Sequence, residues 1–499
     1  MSDMKYDVVI IGGGLGGLLS AYILCKQGYR VVVLEKNAVI GGCLQSFRRK
    51  GTLFDTGMHY IGSMEEGQLL SRFWKYFGLT GRVQLRKLDE EAFDVISYGG
   101  QHYPSAMGYE AYIEGLAAFF PKERKALEHY VEVIRRIATS SPVSRLEEVV
   151  QTLPLETEYV KTSVSDYISH ITSDSVLRNV LAGNAPLYAG EKGKTPFYVH
   201  AFLHHSYIQS AYRIVGGSQQ IADVLSDSVC CMGGEVWLES EVTGLTGTAQ
   251  AVEGVKLRDG RFVEGKYFIS AIHPQAMIGL LEESMVKRSY CRRIRNLENT
   301  IAGFTVYLGF KKGMVPYYNS NFFHYDVPDI WSCAGYTQTD WPRGYLYMHQ
   351  APEDGGNFSE GALLISYMRY DEVLKWKETR VGKRGEEYAG FKEKRAQQLI
   401  EALNREFPDI REKIAFYEIS TPLTYENYTA TVDGAMYGIM RDVNNPVQTV
   451  VSQRTYIPNL FMTGQNTNSH GMLGVTTGAM LTCAELVGIN TIIRAINEV

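Results

Sequence analysis

The first 36 residues constrain the fold more than any other stretch. Tyr6–Ile11 is a short apolar, β-branched run, read as a buried parallel strand. It leads straight into Gly12-x-Gly14-x-x-Gly17, and Leu15–Gln27 is apolar at helical spacing with a stop signal at Gly28. Arg30–Leu34 is a second, Val-rich strand, and Glu35 follows it 21 positions after Gly14. In such a βαβ unit Gly12 permits the tight turn, Gly14 lets the backbone approach a pyrophosphate, and Gly17 allows close helix–strand packing. The helix start offers free N–H groups and a positive dipole end to the phosphates. An acid at Glu35 can accept hydrogen bonds from ribose hydroxyls and repels a 2′-phosphate, which argues against NADP.

Beyond this unit the pattern changes several times. Residues 37–63 are glycine-rich and read as extended loop, whereas residues 90–198 read as helical, notably Tyr109–Phe120 and Lys122–Ala138. Val236–Gly247, Ala251–Arg258 and Phe268–Ile272 read as strands, with Asp259-Gly260 as a hairpin turn. Residues 301–310 and 362–369 alternate as strands, and Glu387–Phe407 is a charged amphipathic helix. A last strand, Leu460–Thr463, runs into a helix after Gly471, giving a second helix start suited to the flavin N1/O2 edge.

Composition removes several classes of function. A net charge of −5 argues against binding nucleic acid through bulk positive charge. Seven cysteines without a CxxC pair fit a reduced compartment. No uninterrupted apolar run reaches the ~18 residues of a membrane span, and Met1–Gly14 lacks the features of a signal peptide. The expected location is cytoplasmic, with peripheral membrane contact left open. No GxSxG, HExxH or Walker motif occurs, and no metal site is expected. His204-His205 has no acidic or cysteine partner at ligand spacing, and Cys230-Cys231 are expected as small buried residues at a helix end.

The stretches FDTGMHYIG (54–62), YRIVGGSQQIA (212–222), GKRGEEYAGFK (382–392) and IPNLFMTGQNTNSHGMLG (457–474) make the reading specific. In them the chain resembles the flavoprotein superfamily of phytoene desaturases, carotenoid isomerases and amine oxidases, and most of all its retinol saturase branch. The resemblance implies an α/β fold: a Rossmann-like FAD-binding domain of the glutathione-reductase type, interleaved with an α+β substrate domain. It assigns residues 1–90, 205–300 and 426–499 to the first, and 91–204 and 301–425 to the second. FAD would be held by Gly12, Gly14, Gly17, Glu35, Lys36, Gly42, Gly57, Met58, Val242, Gly464, Asn466, Met472, Leu473 and Val475. Asn466 stands where the family usually has Asp. The animal enzymes of the branch carry a hydrophobic leader that this sequence does not show, so their membrane location is not carried over.

The implied activity is oxidoreduction of a carbon–carbon double bond in a long apolar, isoprenoid-like molecule, with saturation by hydride from reduced flavin preferred. Carotenoid-type desaturation or isomerisation and reduction of a steroid-like enone are alternatives, and an amine oxidase or a prenyl-lipid carrier ranks below them. The electron donor is open between NAD(P)H, a quinone and a redox protein. His59, Tyr60 and His470 are the candidates for proton handling. For His59 the rival role is holding its loop, and for Tyr60 it is packing beside the flavin. Ten aromatic residues between Tyr317 and Tyr347 suit either an apolar substrate chamber or ordinary strand cores. The basic helix around Lys122, Arg124, Lys125, Arg135 and Arg136 is either a solvated face or a contact to anionic lipid.

Overall fold

Five parallel strands carry the N-terminal motif. In the computed structural model, which describes residues 6–150 and 157–499, β1 (Tyr6–Ile11) lies between β2 (Val31–Leu34) and Phe262–Ser270. Glu235–Trp237 pairs with the outer edge of β2, and Leu460–Met462 pairs with Phe262–Ser270. Taken in chain order, the strands stand 3-2-1-4-5, the doubly wound arrangement. Both faces are covered, which is why these strands are apolar without alternation. Val8, Ile10, Val31 and Val33 face α1 (Leu15–Lys26) and the helices Gln219–Cys231 and Gly471–Val487. Val9, Ile11, Val32 and Leu34 face a layer containing Leu245, Val255, Met277 and Ile294. A Cβ on Gly17 would fall 2.1 Å from the Gly12 carbonyl oxygen, so only glycine lets α1 lie this close to the turn it leaves.

A second sheet forms the other half of the molecule. Its seven strands run in the order 414–420, 302–310, 361–368, 344–349, 321–325, 94–98, 101–105. Neighbours are antiparallel except Asp94–Tyr98 with Asn321–Tyr325. Side chains alternate between faces. Tyr307, Phe323, Tyr325, Leu346 and Ile365 face the helices of residues 109–209. Phe304, Val306, Tyr345, Tyr347 and Leu364 face the helix Glu386–Glu406 through Leu399, Ile400 and Leu403.

Several local expectations are corrected. Residues 90–198 are not helical throughout: Asp94–Tyr98 and Gln101–Ser105 form a hairpin turned by Gly99 and Gly100, both at positive φ. The stretch 236–247 is two strands, separated at Glu239 with φ 49°. The expected loop 37–63 contains the short hairpin Ser46–Arg49/Thr52–Asp55. Cys230 and Cys231 do close a helix, but they are exposed: its buried stripe is Ile221, Ala222, Val224, Leu225 and Val229, and the next two positions fall off it.

A small three-stranded sheet (61–62, 211–214, 85–87) sits between the two large ones, and it carries Arg213, only 2% exposed. One guanidinium nitrogen donates to the His349 carbonyl at 2.5 Å, and another to the Ser320 carbonyl at 2.9 Å and Asn321 Oδ1 at 2.7 Å. Asn321 in turn donates to Asp94, which also accepts from Asn184 at 2.7 Å and from the Tyr60 hydroxyl at 3.1 Å. Arg213→Met keeps the stem but leaves these buried acceptors unserved. It is expected to cost at least about 3 kcal/mol of stability, measured by urea unfolding, with Arg213→Lys recovering part of the loss.

Candidate functional site

The C-terminal ends of the parallel strands open into one long cavity at the switch point between β1 and Phe262–Ser270, where doubly wound sheets take ligands. The turn after β1 supplies Gly12 and Gly14, the end of β2 supplies Glu35 and Lys36, and Ala271–His273 follow the fourth strand. Gly464 and Asn466 follow the fifth. The inner face of the second sheet closes the far end with Tyr325, Leu346, Ile365 and Tyr367.

Glu35 is 5% exposed and binds the turn back onto the sheet: one carboxylate oxygen accepts the Gly13 N–H at 2.8 Å, the other the Asn37 N–H at 2.9 Å. The helix start this creates is bare. Gly14 is the residue before α1, no side chain caps the helix, and a Cβ on Gly14 would meet nothing within 4 Å. The helix Gly471–Val487 begins after His470, also without a side-chain cap, and its first turn lines the same cavity through Gly471, Met472 and Val475. Two uncapped helix N-termini on one cavity fit a dinucleotide cofactor, whose anionic groups would serve the free N–H groups.

Most of the residues singled out for the cofactor meet here: Gly12, Gly14, Glu35, Lys36, Gly42, Gly57, Met58, Val242, Gly464, Asn466, Met472 and Val475 all line the cavity. Lys36 also donates to the Asn427 carbonyl at 2.7 Å, and burial lowers its pKa. Asn466 accepts the Ile439 N–H at 2.8 Å with its side-chain oxygen, and Gly438 leaves room for it: a Cβ there would lie 2.1 Å away. The Asn466 amide N–H groups are therefore what this side chain can turn to a ligand. Gly17 and Leu473 do not line the cavity: Gly17, within α1, faces the Gly12 turn and Ala271, and Leu473 faces the core between the helices.

The three candidates for proton handling separate. His59 lines the cavity, its Nδ1 is buried without a partner, and burial, with Arg213 nearby, holds its pKa down to about 4. Tyr60 points the other way: its ring stacks on Tyr207 at 4.4 Å and its hydroxyl donates to Asp94, outside the cavity wall. Burial pushes the Asp94 carboxyl up to about 7 against the hydrogen bonds from Asn321 and Tyr60. His470 packs its ring 4.5 Å from Tyr437 and is absent from the wall itself.

The aromatic run 317–347 divides according to strand alternation. Tyr325 reaches the cavity, whereas Phe322 and Tyr347 contact Phe407, and Trp341 packs edge-on against Phe304 on the opposite face. The chamber draws on Tyr367, Tyr425 and Tyr437 instead, which lie outside that run. Along the basic helix Arg124 pairs with Glu114 and Glu128, Arg135 lies over Tyr109, and Arg136 donates to the Tyr159 hydroxyl. His204 and His205 diverge: the first stacks on His200 at 3.9 Å, the second hydrogen-bonds Tyr109 at 2.7 Å. Among the described residues no cluster of three His, Cys, Asp or Glu could hold a metal, and no helix is long and apolar enough to cross a membrane.

Comparison with known proteins agrees with this geometry. Residues 10–77 match the family model of the NAD(P)-binding Rossmann-like domain. Human all-trans-retinol 13,14-reductase is 27% identical over 96% of this chain and 85% of its own length. Prolycopene isomerase 1 from an Oncidium hybrid is 22% identical over 97% of this chain and 84% of its own. An oxidoreductase of known structure from Methanosarcina mazei superposes with a TM-score of 0.65 at 17% identity, covering 95% of this chain and 99% of the other. Fold and cavity together define an oxidoreductase built from a Rossmann-like nucleotide domain and an α+β partner domain. Within that class the chain is similar to all-trans-retinol 13,14-reductases and prolycopene isomerases.

The buried histidines set an acid limit. His59, His273 and His470 are held by burial at about 4, below the usual 6.5. As pH falls from 6.5 towards 4 the unfolded chain takes up these protons first, so stability is lost across that window. Thermal melts between pH 7 and 4 are expected to show this decline, and it should be shallower in His59→Gln and His470→Gln.

Proposed function

We propose that the protein is an FAD-dependent oxidoreductase that saturates a carbon–carbon double bond in a long apolar, isoprenoid-like substrate. The carrying observation is one continuous cavity with two unlike halves. One half has two bare helix starts and Glu35, and the other is walled by Tyr325, Leu346, Ile365, Tyr367 and Tyr437 with no Lys, Arg, Asp or Glu among its lining residues. In this reading residues 1–90, 205–300 and 426–499 hold the cofactor, and 91–204 and 301–425 build the substrate side. Saturation is preferred over desaturation or isomerisation because the human retinol reductase is 27% identical where the prolycopene isomerase is 22%, each over nearly the whole chain. An amine substrate is disfavoured because the apolar half offers no carboxylate to an ammonium group.

Bound FAD supplies hydride exchange with a carbon–carbon bond. The chain supplies the rest. The starts of α1 and of Gly471–Val487 hold the anionic parts of the cofactor, and Glu35 and Val242 meet its adenosine end. The aromatic wall excludes water and orients the alkene. His59, neutral at working pH, is the cavity group placed to orient by hydrogen bonding a water that delivers the proton to the second alkene carbon. The reductant is NAD(P)H, a quinone or a redox protein, and the enzyme works in the cytoplasm or in peripheral contact with a membrane that holds its substrate.

Purified protein is expected to be yellow and to release FAD on denaturation, and colourless protein unable to take up FAD would overturn the reading. Chemically reduced enzyme mixed anaerobically with polyenes should be reoxidised. Reduction of the oxidised form by a saturated isoprenoid instead would reverse the assigned direction. Glu35→Ala should lose most bound flavin. His59→Gln should keep it while slowing alkene-driven reoxidation by about 10²-fold, measured in single turnover.

A further inference from the structure

Three residues lining the cavity carry a buried side-chain polar atom with no hydrogen-bond partner: His59, Tyr345 and Tyr367. Tyr345 is accounted for by the sheet. Its ring stacks on His324 at 4.8 Å and belongs to the outer-face cluster, so its hydroxyl points away from the cavity. Tyr367 is different. It extends the inner-face series of Leu363 and Ile365, packs beside Tyr325 and Leu346, and ends in a hydroxyl that nothing in the protein receives.

Three polar groups lining the cavity with it are engaged. The Tyr325 hydroxyl donates to the Gly183 carbonyl at 2.5 Å, and Ser366 Oγ to the Gly344 carbonyl at 2.7 Å. The Tyr425 hydroxyl shares a hydrogen bond with Thr305 at 3.0 Å. The formal charges along the cavity, Glu35, Lys36 and Glu241, sit at the β2 end near Val242. Buried hydroxyls are rarely left without partners, and an unpaired one facing a ligand cavity marks a contact the ligand completes.

We infer that the Tyr367 hydroxyl is the polar anchor of the substrate, donating to a single neutral oxygen function, a hydroxyl or carbonyl, on an otherwise apolar skeleton. This rests on the proposed polyene-reducing function and narrows it. Burial raises the Tyr367 pKa well above 10, so the group stays a donor at working pH. A carboxylate would enter a half-cavity without a cation, and a pure hydrocarbon would leave the hydroxyl unserved.

The test uses FAD-loaded enzyme, with ligand binding followed through the flavin absorbance. The probes are four polyenes of one skeleton, ending in an alcohol, an aldehyde, a methyl group or a carboxylate. In the wild type the alcohol and aldehyde should bind comparably, the hydrocarbon more weakly and the carboxylate weakest. Tyr367→Phe, at unchanged flavin content, should weaken alcohol and aldehyde about fivefold without weakening the hydrocarbon, so the preference collapses. An unchanged alcohol-to-hydrocarbon ratio in Tyr367→Phe would overturn the assignment while leaving the reductase reading intact. Should the variant lose flavin, the wild-type series alone decides: an aldehyde, which can only accept, binding as weakly as the hydrocarbon rules out a donating Tyr367. If no polyene binds or reoxidises the wild type, the functional reading and this inference fall together.

Discussion

A single carboxylate holds the architecture of the cavity in place. Glu35, at the end of β2, takes the Gly13 amide of the turn leaving β1, and with its other oxygen the amide of Asn37. That pair of bonds fixes how the turn meets the neighbouring strand, and therefore which way the uncapped start of α1 points. An amphipathic helix in an ordinary domain would close its first turn with Ser, Thr or Asp. Here the position before the helix is Gly14 and the amides are left to the cavity. The same choice recurs at Gly471–Val487, so the protein leaves two helix starts unserved by its own side chains in one place.

The second constraint joins the sheets. Arg213 and Asp94 are both buried but never touch in a direct ion pair. Asn321 stands between them, giving its oxygen to the guanidinium and its amide to the carboxylate. The network then reaches Tyr60, next to the cavity residue His59, so the loop 57–60 is held from behind by the second large sheet. A residue that looks catalytic from its place in a motif is here part of the frame, and its neighbour faces the cavity.

How much of this could be read from the sequence depended on how local the cause was. The βαβ unit and Glu35 were legible because spacing within 36 residues determines them. That residues 57–58 line the cavity was legible only through family resemblance, whereas the second helix start after Gly471 was legible from its strand–glycine–helix pattern. The hairpin 94–105 was hidden because its alternation is short and adjoins a long helical region. The chamber residues were hidden for a different reason. Whether an aromatic residue faces the cavity or the helix Glu386–Glu406 is set by strand register, and a shift of one residue reverses it. Tyr345 and Tyr367 both line the cavity and both have a buried hydroxyl, yet the ring of Tyr345 packs on the outer face and that of Tyr367 on the inner one.

The nucleotide sheet takes strands from both ends of the chain, and this bears on synthesis. Its fifth strand, Leu460–Met462, and the helix Gly471–Val487 emerge from the ribosome long after the fourth strand, Phe262–Ser270. Until then the strand Phe262–Ser270 lacks one neighbour, and the core face of α1 lacks the helix that makes its most extensive contact. The nascent chain therefore carries the apolar face of α1 from the start, and an open sheet edge from residue 270 on, a state that invites wrong partners. Completing the cavity and hiding that edge are one event, because the same strand and helix do both.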